Sequence, residues 1–339
     1  MLKILVVAPS WVGDCMLMQP MLLRLKQRLP DCAIDVLAPP WTLSLLKQMP
    51  EVNEVIVNPF PHGALHLLAR YRLGKQLRSN NYDAAYVLPN SLKSALVPYF
   101  ANIPNRIGFT GEMRYGLLTD ARKLNKNKLP LMVERFAQLA EVSRDEVQPC
   151  IPHPHLSVSD ETRQLVLDKL ELSLDKPIAI FCPGAEYGPA KRWPVQYYAE
   201  LAQKLRAKGY AVWLIGSARD REVAEKIVSL GNQVVRNLCG ITDLSDAIAL
   251  LSCASLVVSN DSGLMHIAAA LDRPMLAIFG SSSPQFTPPL SEKALVLKLD
   301  LPCSPCFKRV CPLGHFNCMM QLTPSEVGKH VTSILENPA

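Results

Sequence analysis

The chain has 339 residues, 49% of them apolar and 19% charged. That composition excludes a disordered or repeat-built polymer and points to two globular domains, since one core stops growing near about 250–300 residues. The formal net charge of +6 is unevenly placed: residues 1–165 carry 19 Lys and Arg against 14 Asp and Glu, and residues 61–144 carry 13 against 5. A basic half is either a merely solvated face or the mark of an anionic partner, whether nucleic acid, phosphorylated substrate or anionic membrane surface.

Ile4–Ala8 opens the pattern as a strand. Its unbroken apolar run suits a strand covered on both faces in a parallel sheet. The run is too short for a signal core or a membrane span, so the protein is expected in the cytoplasm. A helix over 16–28, a strand at Ala33–Leu37 and a short helix over 42–48 follow. Val55–Val57, Ala84–Leu88 and Arg106–Phe109 read as further strands. Pro149, Pro152 and Pro154 mark a linker. Beyond it Ile178–Cys182, Ala211–Ile215, Val234–Val235, Leu256–Ser259 and Met275–Phe279 read as strands, with helices over 194–208, 219–230, 245–252 and 263–271. Two successive strand–helix series predict an α/β protein of two doubly wound, Rossmann-like sheets facing across a cleft, spanning 1–155 and 156–322. A last helix over 323–339, with Thr323 before Pro324 and Glu326 in the first turn, is expected to pack back on the first domain.

No Walker A loop and no complete G-x-G-x-x-G is present, so the chemistry must lie at other strand-to-helix junctions. In Pro9-Ser10-Trp11-Val12-Gly13-Asp14, Asp14 is either an ordinary residue of a helix start or a general base for an acceptor hydroxyl. The loop from Pro183 to Pro194 holds Gly184, Gly188 and the adjacent cations Lys191 and Arg192. Those cations are either solvated or placed to neutralise a diphosphate. Asn260-Asp261-Ser262-Gly263-Leu264-Met265-His266 puts a helix N-terminus after a strand. His266 lies one turn from Ser262 on the same face; a lone His on a helix is usually structural, but this one borders an anion site.

These three junctions resemble those of glycosyltransferase family 9, the bacterial heptosyltransferases of GT-B fold. So do Leu88–Pro98, Gly111–Leu117 and Ser281–Leu290, giving six segments in order along nearly the whole chain. The resemblance implies an inverting transfer of L-glycero-D-manno-heptose from ADP-heptose to the first heptose of the lipopolysaccharide inner core. It implies Asp14 as catalytic base, and Gly184, Lys191, Asp261, Ser262, Gly263 and His266 on the donor, with Glu222 near its ribose. It gives the first domain a lipid A acceptor bearing Kdo and heptose, which fits the basic skew and places the enzyme at the cytoplasmic face of the inner membrane. Asn90, Lys93 and Arg114, with Arg70, Arg72, Lys75 and Arg106, are the candidates to contact that acceptor. The rivals are transfer to Kdo itself, a nucleotide-sugar epimerase that turns over donor alone, and a nucleic-acid binder, for which no usual motif is present.

Ten cysteines in a chain without a secretory leader are expected to stay reduced. Six of them read as small core residues. Cys303, Cys306, Cys311 and Cys318, with His315 among them, suit either a closed structural Zn²⁺ site or unliganded thiols. Catalysis is expected to need no metal, with assistance by Mg²⁺ left open.

Overall fold

The computed structural model describes residues 1–61, 63–142, 150–232 and 234–336. They divide into two units, Met1–Pro154 and His155 onward. Pro152 and Pro154 therefore do fall at the boundary, and Pro149 lies outside the described residues.

The first unit runs β1 (Lys3–Val7), α1 (Val12–Arg28), β2 (Ala33–Ala38), α2 (Leu43–Leu46), β3 (Glu54–Val57), α3 (Leu67–Leu77), β4 (Ala84–Val87), α4 (Leu92–Phe100), β5 (Asn105–Phe109), β6 (Asp120–Arg122) and α5 (Met132–Ala140). Its strands form one sheet in the order β3-β2-β1-β4-β5-β6. Every pairing is parallel, with Ile4 opposite both Ile34 and Ala84. Leu5, Val7, Leu37, Ala85 and Val87 pack from the sheet against Leu77, Ala95 and Val97 of the helices. The second face is closed by α1 and α5, which Arg24 and Glu141 join at 3.0 Å.

The second unit runs α6 (Asp160–Lys169), β7 (Ile178–Cys182), α7 (Val195–Ala207), β8 (Ala211–Leu214), α8 (Arg221–Leu230), β9 (Val235–Asn237), α9 (Leu244–Ser252), β10 (Leu256–Asn260), α10 (Gly263–Ala270), β11 (Met275–Phe279), β12 (Ala294–Lys298), α11 (Asn317–Met320) and α12 (Pro324–Glu336). Its sheet, β12-β11-β10-β7-β8-β9, repeats the topology of the first and is again wholly parallel. In such sheets the strand order reverses at one point, β1/β4 in the first and β7/β10 in the second. Ligands bind beyond the carboxyl ends of the strands there.

The structure adds α3, α4, α5, α6, α11, β6 and β12 to the elements read from sequence. It also moves the start of α1 back to Val12, so that Asp14 belongs to the first turn. Thr323 does cap the tail helix, its Oγ1 accepting from the Glu326 N–H at 3.3 Å. The expected destination of that helix is corrected: Val327 and Val331 are buried in the second unit's core beside Tyr198 and Leu201. Those two apolar positions, one turn apart, face α7. No helix among the described residues is long and apolar enough to cross a membrane.

Candidate functional site

The first switch point is framed by the loop before α1 and the loop before α4. Trp41 ties the former by donating from its indole N–H to the Ser10 carbonyl at 2.8 Å. Asp14 follows, half-buried in the first turn of α1, where unpaired backbone N–H groups favour the carboxylate. Across β1 and β4, Asn90 is exposed and Lys93 half-buried at the start of α4. These three therefore come together at the switch point of one sheet.

The other basic candidates divide. Arg114 is 2% exposed, and its guanidinium donates to Pro89 O at 2.6 Å, Ser94 Oγ at 3.4 Å, Asn90 Oδ1 at 3.2 Å and, from Nε, Phe109 O at 3.0 Å. A second donation to Phe109 O leaves no donor for an acceptor phosphate. The expectation that Arg114 touches the acceptor is therefore corrected: it is a strut between loops, and burial lowers its pKa to about 10, partly opposed by Glu112. Arg70 is likewise buried, donating to Leu65 O at 2.6 Å and Lys93 O at 3.2 Å, with its guanidinium 4.1 Å from the Phe60 ring centre. Arg106 is spent on the carbonyls of Leu117 and Ile103. Arg72 and Lys75 are exposed, but on α3, away from the switch-point loops.

The second switch point is more fully built. Asn260, at the end of β10, is wholly buried. Its Nδ2 donates to Pro183 O at 2.7 Å, and its Oδ1 accepts from Trp193 N at 3.0 Å and Tyr198 OH at 3.1 Å. One carboxamide thus pins both ends of the loop that carries Lys191. The Trp193 indole, 1% exposed, donates to Leu322 O at 2.7 Å and fixes that end a second time.

Lys191 Nζ then meets Asp261 Oδ2 at 2.5 Å, with the side chains 17% and 5% exposed. His266, one turn into α10, is buried beside this pair. Its pKa falls to about 4, chiefly through burial, with Lys191 adding to the fall and Asp261 opposing it. It is therefore a neutral imidazole near pH 7. Ser262 occupies the N-cap position of α10, and Gly263 begins the helix. A cation, a helix N-terminus and a neutral imidazole gathered at a switch point make a place for a diphosphate.

Gly184 is needed for a different reason than ligand access: a Cβ there would come within 2.4 Å of the Asp220 carboxyl carbon. Asp220 itself is nearly buried and accepts from Ser217 N at 2.9 Å and Ser217 Oγ at 2.8 Å. Glu222 stands in the first turn of α8, beyond the end of β8 and exposed to solvent. It accepts from Lys226 at 2.7 Å, and this bond, then the charge of Lys226, holds its carboxyl below the usual range.

With this geometry in place, the comparisons decide the family. The pattern described as glycosyltransferase family 9 (heptosyltransferase) matches residues 70–317. The chain belongs to glycosyltransferase family 9. Lipopolysaccharide heptosyltransferase 2 of Salmonella typhimurium (strain LT2) is 49% identical over 98% of this chain and 99% of its own. That of Escherichia coli K12 is 48% identical over the same shares, 98% and 99%. Among solved structures, that of E. coli ADP-heptose LPS heptosyltransferase II overlays with a TM-score of 0.89 at 45% identity, covering 98% of both chains. The pair of parallel sheets is thus the GT-B architecture of heptosyltransferases.

In this family 9 glycosyltransferase, four residues around the second switch point carry structural weight that sequence reading did not assign. Asn260 and Asp220 are two; for Asn260 a polar residue closing a buried strand was the available signal. Tyr187 is the third: its ring lies 5.2 Å from Lys191 Nζ and 5.3 Å from the Arg309 guanidinium, and its hydroxyl donates to Phe307 O at 2.8 Å. Arg309 is the fourth, brought in by the cysteine-bearing segment. Its carbonyl accepts from Ala190 N at 3.0 Å, and a Cβ on Gly188 would come within 2.5 Å of that oxygen.

That segment also carries the clustered cysteines. Cys303, Cys306, Cys311 and Cys318 are half-buried and free of disulfides. Burial, and then the neighbouring three thiols, raise the Cys318 pKa. Yet among the described residues no group of three or more His, Cys, Asp or Glu side chains is arranged to hold a metal ion. Hydrogen bonds tie the loop to the segment after β11, with Phe307 N donating to Ser281 O at 2.7 Å and Ser304 Oγ to Gly280 O at 2.8 Å. Of the six cysteines read as core, Cys15, Cys32, Cys182 and Cys239 are buried, Cys253 is half-buried, and Cys150 is exposed and corrects that reading.

Proposed function

We propose that this chain transfers L-glycero-D-manno-heptose from ADP-heptose to the first heptose of the lipopolysaccharide inner core, with inversion at the anomeric carbon. The observation that carries the reading is near-half identity, end to end, with lipopolysaccharide heptosyltransferase 2 of two bacteria. In this reading Asp14 takes the proton of the acceptor hydroxyl. A carboxylate held ionised at a helix start is a weak base, which suffices when the proton leaves late, after the sugar–phosphate bond has begun to break. The attacking oxygen enters opposite the departing ADP, and the charge growing on the diphosphate is met by Lys191 and the N-terminal N–H groups of α10. Ser262 and Gly263 let the diphosphate approach those groups, and neutral His266 donates or accepts a hydrogen bond there without adding charge. Glu222 takes the ribose hydroxyls. No resident metal is needed for these steps. Asn90 and Lys93 serve the acceptor, whose lipid anchor keeps the enzyme in peripheral contact with the cytoplasmic face of the inner membrane.

The test compares purified Kdo-bearing lipid A acceptors with and without the first heptose, following ADP release and product mass. Transfer only to the heptose-bearing acceptor is expected. Transfer to the heptose-free one reassigns the protein to the step that acts on Kdo. Consumption of ADP-heptose with no acceptor present moves it to an epimerase-like activity.

A further inference from the structure

Helix α3 rests on the first unit through Arg70, Gly74 and Leu77, with Leu73 packed against the same core. Its approach to α4 is close, since a Cβ on Gly74 would fall 2.5 Å from the Phe100 Cβ. At 100° per residue the opposite side collects Leu68, Tyr71, Arg72 and Lys75, an i, i+3, i+4, i+7 set. All four are exposed, Leu68 by 62%. Leu65 and Leu67, each about half exposed, widen the apolar end of this stripe. Tyr71 meets Phe100 edge-on at 5.3 Å, and Phe100 meets Tyr99 at 5.5 Å, which carries an aromatic rim onto α4.

The charge of this region is one-sided. Residues 55–111 hold six Lys or Arg and a single acid, Asp83. That acid is engaged by the Lys3 backbone N–H at 2.8 Å. Apolar and cationic side chains lying side by side, with no acid among them, match a surface whose phosphates overlie hydrocarbon. A second copy of this chain would set cation against cation. At 11 residues, α3 is about 16 Å long and can lie on a bilayer but not cross one.

We propose that α3 is the membrane-docking element: Leu65, Leu67, Leu68 and Tyr71 enter the headgroup boundary of an anionic bilayer, and Arg72 and Lys75 pair with its lipid phosphates. This deepens the proposed function, resting on its lipid-borne acceptor, and names the face that holds the enzyme to the acceptor's surface.

The experiment is co-sedimentation of the full chain with vesicles of phosphatidylcholine, alone or with about a third phosphatidylglycerol. Binding is expected only to the anionic vesicles, weakening as salt rises. Each cation near such a surface is worth about fivefold in partitioning, so Arg72→Ala with Lys75→Ala should lower it about twentyfold or more. Leu67→Ser with Leu68→Ser should lower it at least about tenfold, while thermal unfolding and transfer to a detergent-dispersed acceptor stay at the unsubstituted level. Sedimentation of both double variants with anionic vesicles to the unsubstituted extent would overturn the proposal. So would failure of the unsubstituted chain to sediment, or self-association that the leucine substitutions abolish, which would give the face to a second copy. Failure of the unsubstituted chain to dock while it still transfers to dispersed acceptor removes this proposal alone. Absence of transfer to dispersed acceptor removes the heptosyltransferase reading whatever the vesicles show.

Discussion

Lys191 is the most informative residue to remove, because it is tied at once to stability and to donor charge. Lys191→Met keeps the aliphatic stem and deletes the ammonium that meets Asp261 at 2.5 Å. The Asp261 carboxylate, 5% exposed, is then left without its cation. Breaking a buried pair costs about 3–5 kcal/mol. Since Lys191 keeps 17% of its side chain in solvent, water takes over part of that, and about 2 kcal/mol is the working figure. With a urea slope of about 2 kcal/mol per molar, the second unit should unfold about 1 M earlier. Loss of a charge-assisted contact should weaken ADP by about 1.5–3 kcal/mol, or roughly 10- to 150-fold. Adding Asp261→Asn removes the stranded charge, so the double variant should recover most of the urea midpoint but none of the ADP affinity. Calorimetry and urea titration of the unsubstituted protein and these two variants decide it. A Lys191→Met protein with unchanged midpoint and unchanged ADP affinity would refute both halves of the argument.

Asp14→Asn should cut turnover at least about a hundredfold while ADP binding holds, as removal of a general base predicts; steady-state and single-turnover rates with calorimetry check this. His266 has a folded pKa near 4 against 6.5 unfolded, so the unfolded chain binds more protons between those values and stability falls as pH drops from about 6.5 toward 4. The full effect is on the order of 3 kcal/mol; His266→Gln should flatten that part of a plot of urea midpoint against pH. Lys93→Ala should raise the acceptor KM, less so at high salt, without moving ADP affinity. Arg114→Ala should instead lower the unfolding midpoint, because Pro89 O and Phe109 O lose their donors at about 1–3 kcal/mol each, and its effect should not depend on salt.

The sheets were legible because β1, β7 and β11 hold unbroken apolar runs, as a strand buried on both faces requires. The helices over 194–208, 219–230 and 263–271 were legible for the complementary reason, a clear strand on either side. By contrast α3 was missed: it buries an arginine and a glycine where a helix pattern calls for apolar residues, and Leu67 and Leu68 face outward. The edge strand β12 is only half-buried, and its apolar run Ala294–Leu297 lies between Lys293 and Lys298. Among site residues, Lys191, Asp261 and His266 were legible as members of motifs, but their mutual pairing was not, since it joins segments about 70 positions apart. Arg70 and Arg114 were misread because charge was taken as a sign of exposure. What buries them is a set of carbonyls supplied by separate loops, which composition cannot show. Gly184 was read as a donor residue, and the space beside its Cα is filled by Asp220.

Asn260 sets a limit on how this enzyme can be re-engineered. Because one carboxamide holds Pro183 and Trp193, the two ends of the donor loop keep their separation whatever lies between them. Lengthening a flexible loop between fixed ends is cheap, about 0.6 kcal/mol for each doubling. The stretch from Ala185 to Tyr187 is therefore where extra residues can be grafted, upstream of the Gly188 and Ala190 contacts with Arg309. Lys191, two positions from Trp193, would still emerge in the same place. The anchoring residue has no such freedom: Asn260→Asp keeps the size and both acceptor contacts but turns a carboxylate oxygen toward the Pro183 carbonyl, opening the loop at the end where grafting would begin.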